Sequence, residues 1–309
     1  MLATAPPKFH ATTRSVILTL SQWIIGAAIS MAAPAASNTL HRPTSTGAEA
    51  FTAAANVCDM STYVTHDVDI TDDVSLLVRE GSPMRSRVSS FIDGDEDHTG
   101  NYVWPSSYVL AKWLSSNAAE TQGKTVLELG SGCGLAGLTV AAMGAAKEVI
   151  LTDLSSATLS NLEHNVALQD STSSRTEVRK LDWRASETWP AAGSVEYALG
   201  ADLVYDDGMA PSLAQVLAHC LKEDGEFIHV HPKNGRVGTS ELAGALAEAG
   251  LTLVEELTLP ERGASGAATM RTWAQLTPVA GEERHSLWHV LNEVATKEFV
   301  LQRYKKVKA

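Results

Sequence analysis

The stretch VLELGSGCGLAGL, residues 126–138, decides the fold. An apolar run ends at Glu128, and Gly130, Gly132 and Gly134 then lead into a run of small apolar residues. This order predicts a buried strand, a tight turn and a helix. Glycine suits such a turn because a Cβ atom would keep a ligand away from the backbone. Free N–H groups at the start of the helix favour an anionic or electron-rich ligand edge, although a tight turn without any ligand is an alternative.

Strand-like and helix-like segments alternate around this turn. We predict strands at residues 124–129, 148–153, 176–183, 195–205, 226–231 and 251–259. We predict helices at residues 107–118, 135–143, 156–168, 211–221 and 241–250. Such alternation indicates an α/β fold with a doubly wound sheet and helices on both of its faces.

Three further segments flank this α/β pattern. Residues 64–80 alternate apolar and polar side chains, which predicts a hairpin. The acidic run DGDED, residues 93–97, predicts a solvated loop, although it and the acidic residues of the hairpin could also steer a basic substrate. Near the carboxyl terminus, SLWHVLNEVA (286–295) indicates a helix and KEFVLQRYK (297–305) a final edge strand.

Composition restricts the class of protein. The 309 residues include 24 Lys and Arg against 36 Asp and Glu, a formal net charge of −12. This balance argues against a nucleic-acid surface, which needs clustered basic residues, and favours basic protein partners. Apolar residues at 44% fit a globular protein with a real core, which we expect to be a monomer. The 3 cysteines form no disulfide framework and show no zinc spacing, so we expect a cytoplasmic protein without a metal.

Residues 1–62 differ from the rest, because no acidic residue precedes Glu49 and Ala, Ser, Thr and Pro dominate. The apolar segment Ser15–Ala36 within them resembles a targeting segment, which could direct the protein to an organelle. A single anchoring helix, a disordered extension and a true start at Met31 are alternatives. We therefore place the globular domain at residues 63–309 and expect no stable membrane contact unless the segment is an anchor.

The next strand suggests the kind of ligand. It ends at Asp153, whose carboxylate can accept hydrogen bonds from both hydroxyls of a ribose, or can simply cap the following helix. GCGLAG, residues 132–137, also matches the dinucleotide pattern G-x-G-x-x-G, which is a weak signal alone. Glu128 favours S-adenosylmethionine instead, because a pyrophosphate beside this carboxylate would be repelled. Trp183 and the run GADLVYD (200–206) form no obvious nicotinamide pocket.

Four patches together resemble the seven-strand, class I S-adenosylmethionine-dependent methyltransferases. They are YVWPSSYVLAKWL (102–114), VLELGSGCGLAGL (126–138), LTDL (151–154) with LDW (181–183), and GADLVY (200–205). The Val-Trp pair before a helix and the D-x-x-Y pattern more closely resemble the non-histone protein lysine methyltransferases, methyltransferase family 16. The resemblance implies a Rossmann-like seven-strand sheet, mostly parallel with an antiparallel edge, plus a small N-terminal β-hairpin and helix extension. It also implies S-adenosylmethionine as cofactor and a lysine ε-amine of a protein as methyl acceptor.

The resemblance further implies two groups of site residues. The cofactor-binding group is Trp104, Glu128, Gly130, Ser131, Gly132, Gly134, Asp153, Asp182, Trp183 and Ala201, and the catalytic pair is Asp202 and Tyr205. In this assignment Asp153 holds the ribose and Trp183 lies by the adenine. Asp202 captures and orients the incoming amine, and Tyr205 directs its lone pair by a hydrogen bond. Trp104 and Trp183 as ordinary core aromatics, and Tyr205 as a wall residue, are the alternatives.

Other interpretations stay open at this point. The methyl acceptor could be a protein arginine or histidine, or a small molecule; the protein could also be a Rossmann oxidoreductase or a silent binding protein. His229 and His231 alternate on one strand, but without a third ligand in view we expect satisfied or solvent-facing side chains and no metal. Cys133 is expected to be a small packing residue and no nucleophile.

Overall fold

The structure, a computed structural model, describes residues 63–81, 92–93, 96–169, 174–206, 208–235, 238–259 and 287–308. These residues all belong to one unit, Val57–Ala309. The expectations for Ser15–Ala36, and the boundary proposed after residue 62, lie outside the described residues and stay predictions. Among the helices in the described part of the chain, none is long and apolar enough to cross a bilayer.

The described part contains eleven strands and six helices longer than a single turn. The strands are β1 Tyr63–Asp69, β2 Ser75–Gly81, β3 Ile92–Asp93, β4 Glu96–Asp97, β5 Thr125–Leu129, β6 Glu148–Asp153, β7 Arg175–Lys180, β8 Val195–Ala201, β9 Leu221–Pro232, β10 Leu251–Leu259 and β11 Phe299–Lys306. The helices are α1 Pro105–Ser116, α2 Leu135–Met143, α3 Ser156–Ala167, α4 Met209–Cys220, α5 Thr239–Glu248 and α6 Trp288–Thr296.

A seven-stranded sheet forms the centre, in the order β10–β11–β9–β8–β5–β6–β7. Strands β5 to β9 pair in parallel, and β11 is antiparallel to both β9 and β10. This confirms the predicted doubly wound sheet with an antiparallel edge. The antiparallel pair β1–β2 confirms the predicted N-terminal hairpin.

Apolar residues of β5 pack on both faces of the sheet, because successive side chains of a strand point to opposite sides. Val126 joins the core that includes α1, α2 and α6, and Leu127 joins the core that includes α4 and α5. All five residues of β5 are buried. The chain continues from β5 to β6 on one side and later to β8 on the other, so the turn after β5 lies where the strand order reverses. Ligands of open α/β sheets bind at such a point.

Several predicted elements have different ends in the structure. The strand predicted at 176–183 ends at Lys180, and the one predicted at 195–205 ends at Ala201, so the last residues of both belong to the loops at the carboxyl edge of the sheet. The helix predicted at 211–221 gives way to β9 at Leu221. SLWHVLNEVA does form the helix α6.

The prediction of β11 as an edge strand was wrong. It is hydrogen-bonded on both sides, to β9 and to β10, and among the described strands β10 is the outermost on that side. Phe299, Leu301 and Tyr304 of β11 are fully buried. An antiparallel strand shows the same alternation inside a sheet and at its border, so periodicity alone could not distinguish the two positions.

Candidate active site

The turn after β5 has the tight, positive-φ backbone conformation that its glycines suggested. Gly132 has φ +55°, and a Cβ atom there would lie 3.1 Å from the carbonyl oxygen of Gly100. Gly134, with φ +84°, is the residue preceding the first turn of α2, and a Cβ atom there would meet the Leu162 side chain at 2.5 Å. Both positions favour glycine for their positive φ, and at Gly132 a Cβ atom would also press on the Gly100 backbone.

The N–H groups of this turn are mostly used within the protein, contrary to the expectation that they face a ligand. Ser131 donates to the carbonyl of Thr152 (2.8 Å) and Gly134 to the carbonyl of Ser131 (2.7 Å). Gly132 donates to Asp153 Oδ2 (3.0 Å). These three N–H groups are consequently unavailable to cradle a phosphate, as a dinucleotide site requires.

Glu128 connects the end of β5 to α2 by a hydrogen bond. Its Oε2 accepts a hydrogen bond from the Gly137 N–H (3.1 Å), and this contact orients the loop. The side chain is only 2% exposed, and burial raises the pKa of Glu128 to about 8. The carboxyl group also lines the site cavity described below.

Asp153 lies between the glycine turn and α3. Besides the Gly132 contact, its Oδ1 accepts from the Leu154 N–H (2.8 Å), and burial raises the pKa of the Asp153 carboxyl. The interpretation of Asp153 as a simple helix cap is wrong, because Ser155 holds the cap position and accepts from the Thr158 N–H (3.4 Å).

A cavity of about 710 Å³ opens at the carboxyl edge of the sheet. The structure brings eleven of the twelve predicted site residues to its wall: Trp104, Glu128, Gly130, Ser131, Gly132, Asp153, Asp182, Trp183, Ala201, Asp202 and Tyr205. Gly134 is not among the residues that line it and instead immediately precedes α2 as its N-cap. The cavity size lies in the range typical of small-molecule and cofactor sites.

The two tryptophans reach the cavity from different sides of the fold. Trp104 precedes Pro105, the first residue of α1, and its indole N–H donates to the Thr99 carbonyl (3.0 Å). Trp183 follows β7 and also packs against the core that includes α4 and α5. For Trp183, the core and the cavity-lining interpretations therefore both hold.

Asp202 directly follows β8 and has an unusual backbone conformation. Its φ is +60°, in the left-handed region that non-glycine residues rarely adopt, and its N–H donates to the Val230 carbonyl (2.8 Å). The residue is 8% exposed and lines the cavity. Such strain costs of order 1–3 kcal/mol and clusters at functional sites.

Tyr205 lies closer to solvent and contacts a residue that the sequence did not single out. Its side chain is 45% exposed, and its hydroxyl donates to Asp97 Oδ2 (2.9 Å). Asp97 is half-buried and lines the same cavity, so the solvated-loop prediction was wrong for it. The only signal in the sequence was its position two residues before Thr99, shortly upstream of the Val-Trp pair.

The remaining candidates have other surroundings. His229 and His231 are both buried, with ring centroids 5.2 Å apart, so neither is solvent-facing; burial lowers the pKa of His229 to about 3. Among the residues that the structure describes, no three His, Cys, Asp or Glu side chains group as a metal site. Cys133 is buried in the core, which raises the pKa of its thiol well above the usual value and fits packing.

Comparison with known proteins identifies the family. Residues 89–243, half of the chain, match the family described as lysine methyltransferase. The chain is 30% identical over 144 residues to the calmodulin-lysine N-methyltransferase of Arabidopsis thaliana, covering 45% of this chain and 47% of that protein. It is 34% identical over 118 residues to EEF1A lysine methyltransferase 3 of Xenopus tropicalis, covering 38% and 50%.

Among solved structures, geranyl diphosphate C-methyltransferase from Streptomyces coelicolor is 15% identical, with a TM-score of 0.44 over 64% of this chain and 76% of that one. The chain spans about half the length of the curated relatives that it matches. Because the match to the family covers half of the chain and includes the glycine turn and the D-x-x-Y residues, the chain belongs to the lysine methyltransferase family.

Proposed function

We propose that this protein transfers a methyl group from S-adenosylmethionine to a lysine ε-amine of a protein substrate. One observation carries the proposal: a single cavity is lined by the glycine turn and Asp153, and also by Asp202 and Tyr205. The first set fits a nucleoside, and the second offers oxygen acceptors to an amine.

The residues of the cavity fit S-adenosylmethionine. Gly130, Ser131 and Gly132 of the glycine turn line the cavity. Asp153 retains acceptor capacity for ribose hydroxyls beyond the backbone N–H groups that it binds. Trp183 offers an aromatic face for the adenine. When bound, this cofactor supplies an electrophilic methyl group on a cationic sulfur. A pyrophosphate fits less well, because the N–H groups of Ser131, Gly132 and Gly134 are already used.

The chain's own contribution is to bind and orient the amine. A lysine ammonium must lose a proton before it can react, which costs about 4.6 kcal/mol at pH 7 for a free pKa of about 10.4. The Asp202 carboxylate stabilises the ammonium form of the substrate lysine. Asp202 therefore binds this side chain and does not act as a strong base toward it. Holding the nitrogen in one orientation supplies much of the rate in such reactions.

Radiolabelled S-adenosylmethionine and a cell extract test this proposal. The protein should label extract proteins, and acid hydrolysis of the labelled bands should release methyllysine. Methylarginine, methylhistidine or a labelled small molecule would assign a different acceptor. Cofactor binding without any labelling would indicate a silent binding protein, and binding of a nicotinamide dinucleotide instead would indicate an oxidoreductase.

The substrate class follows from charge and from the relatives. One relative is named for calmodulin and another for EEF1A, so the substrate protein has to be found by experiment. The net charge of −12 supports a basic or lysine-bearing segment and argues against nucleic acid. Labelling of extract proteins that persists after nuclease treatment would support this assignment, and its loss would contradict it.

We also propose that the protein is a monomer. The edge strand β10 exposes Glu255 and Glu256, and charged residues on an edge discourage pairing with a second sheet. Light scattering coupled to size-exclusion chromatography should give the mass of one chain, and a dimer mass would contradict the proposal.

A cytoplasmic location is our proposal for the compartment. Cys133 and Cys220 are unpaired and buried, which suits a reducing environment. A fluorescent protein fused to the carboxyl terminus of the full chain should be diffuse in the cytoplasm. Accumulation in an organelle would support the targeting interpretation of Ser15–Ala36 instead.

A further inference from the structure

Asp97 reaches the site through a short hairpin. Strands β3 and β4 pair antiparallel, with Ile92 opposite Asp97. The Asp97 carboxylate then makes two contacts: Oδ1 accepts from the Thr99 N–H (2.8 Å), and Oδ2 accepts from the Tyr205 hydroxyl (2.9 Å). One oxygen is thereby fixed by the backbone, which holds the other toward Tyr205.

This contact decides which hydrogen-bonding role is left to Tyr205. A phenol has one proton to donate, and here Asp97 receives it, so the phenol oxygen can only accept. Burial raises the pKa of Tyr205 to about 12; a hydrogen bond with the Thr99 side chain opposes this rise, and the neighbouring Asp97 adds to it. A hydroxyl that donates to the Tyr205 oxygen fits the same acceptor role and leaves its second lone pair for an amine. The proton consequently stays on Tyr205 at neutral pH, and the acceptor role persists.

We propose that Asp97 is a positioning residue that fixes the Tyr205 oxygen as a hydrogen-bond acceptor for the substrate amine. The inference rests on the proposed function, since it concerns the amine that the same cavity would admit. Tyr205 and Asp202 then accept N–H protons of the amine, and neither competes for its lone pair. A Tyr205 hydroxyl released from Asp97 could turn and donate to that lone pair, which would block its reaction.

Asp97→Asn is the sharpest change, because it keeps the shape and inverts the polarity toward Tyr205. The Thr99 N–H needs an oxygen acceptor, so the new amide should turn its NH2 group toward Tyr205. The phenol oxygen then accepts from the amide, and its proton is free to point into the cavity. The acceptor for an amine is lost, while the cavity keeps its volume.

Two cofactor analogues measure this effect without a substrate protein. Sinefungin carries an amine in place of the transferred methyl group, and S-adenosylhomocysteine carries nothing there. Calorimetry should show that wild type prefers sinefungin. Asp97→Asn should reduce that preference about three- to tenfold, the worth of one hydrogen bond, and leave S-adenosylhomocysteine affinity within about twofold.

A double-variant cycle separates positioning from simple charge attraction. Tyr205→Phe alone should lower the preference for sinefungin. Adding Asp97→Asn to the Tyr205→Phe variant should lower that preference no further. Asp72→Asn, in the exposed turn between β1 and β2, removes the same charge away from the cavity and should change neither affinity.

Two results would overturn the inference. The first is an Asp97→Asn variant that binds S-adenosylhomocysteine normally and prefers sinefungin as strongly as wild type does. The second is a full Asp97→Asn effect in the Tyr205→Phe background, which would mean that Asp97 acts by its own charge. Failure of the proposed cofactor site looks different, because wild type would then bind neither analogue. A wrong acceptor assignment is distinguished separately, because the extract labelling would then yield no methyllysine while both analogues still bind.

Discussion

Asp202 combines a left-handed backbone with a carboxyl group in the cavity wall. Asp202→Asn tests its role cleanly, since asparagine also tolerates positive φ but carries no charge. We expect methyl transfer to fall at least about 10²-fold, because a misplaced amine loses its orientation. S-adenosylmethionine affinity, measured by calorimetry, should stay nearly unchanged. If the cofactor affinity falls as far as the rate does, Asp202 binds the cofactor and its assignment is wrong.

Gly132 provides a second residue-level test, with Gly123 as its matched control. Both have positive φ, but a Cβ atom at Gly123 would meet nothing within 4 Å. Alanine at either position should cost about 1–2 kcal/mol of unfolding free energy in urea denaturation. Only Gly132→Ala should also weaken S-adenosylmethionine binding, by about tenfold or more, because its Cβ displaces the wall of the cavity. Equal binding by the two variants would exclude a role of this turn in the site.

At the residue scale, the sequence predicted those site residues that are marked by an adjacent segment of the chain, such as a buried strand. Gly132 and Asp202 follow buried strands and Asp153 is the last residue of one, so their place at one sheet edge follows from topology. Asp97 could not be found in this way, because its contact with Tyr205 joins two distant parts of the chain. An acidic run looks the same whether it faces solvent or a cavity.

The junction between β5 and α2 should respond to pH through Glu128. The folded protein holds this proton up to about pH 8, whereas an unfolded chain releases it near pH 4.3. The folded state therefore binds more protons between these values, and its stability falls as the pH rises through them. The Glu128→Gln side chain cannot ionise and keeps an acceptor for the Gly137 N–H. As the pH rises, the unfolding free energy of this variant should therefore increase relative to that of wild type, by at most about 1.4 kcal/mol per pH unit.

Urea denaturation at pH 5, 6.5 and 8 measures this difference. Glu163→Gln, on the exposed side of α3, is the control and should match wild type within about 0.5 kcal/mol at every pH. A Glu128→Gln advantage that stays constant with pH would show that Glu128 does not hold a proton in the folded state.

At the element scale, the order of strands and helices was predictable and their ends were not. DLVY continues the apolar character of β8, and LDW follows β7 directly, but both strands stop where pairing with their neighbours stops. The left-handed Asp202 then turns the chain away from the sheet. The position of β11 depends on which strands it pairs with, and local alternation contains no such information.

For the whole molecule, the charge of −12 predicts how a substrate arrives. If acidic residues near Asp67 and Asp97 attract a basic protein, KM for that protein should rise several-fold between about 50 and 300 mM salt, because exposed charges are screened. Initial labelling rates on the band identified in the extract measure this, with S-adenosylmethionine saturating. A KM that does not change with salt would indicate that the acidic surface is only solvated.

The place of β11 has a consequence for how the protein is made. Strands β9 and β10 leave the ribosome before Phe299–Lys306, yet they are joined only through that later segment. Until it arrives, both present open edges, which are templates for pairing with other chains. Nascent chains stalled before residue 299 would therefore be the form most prone to aggregation, and chaperone demand should peak late in translation.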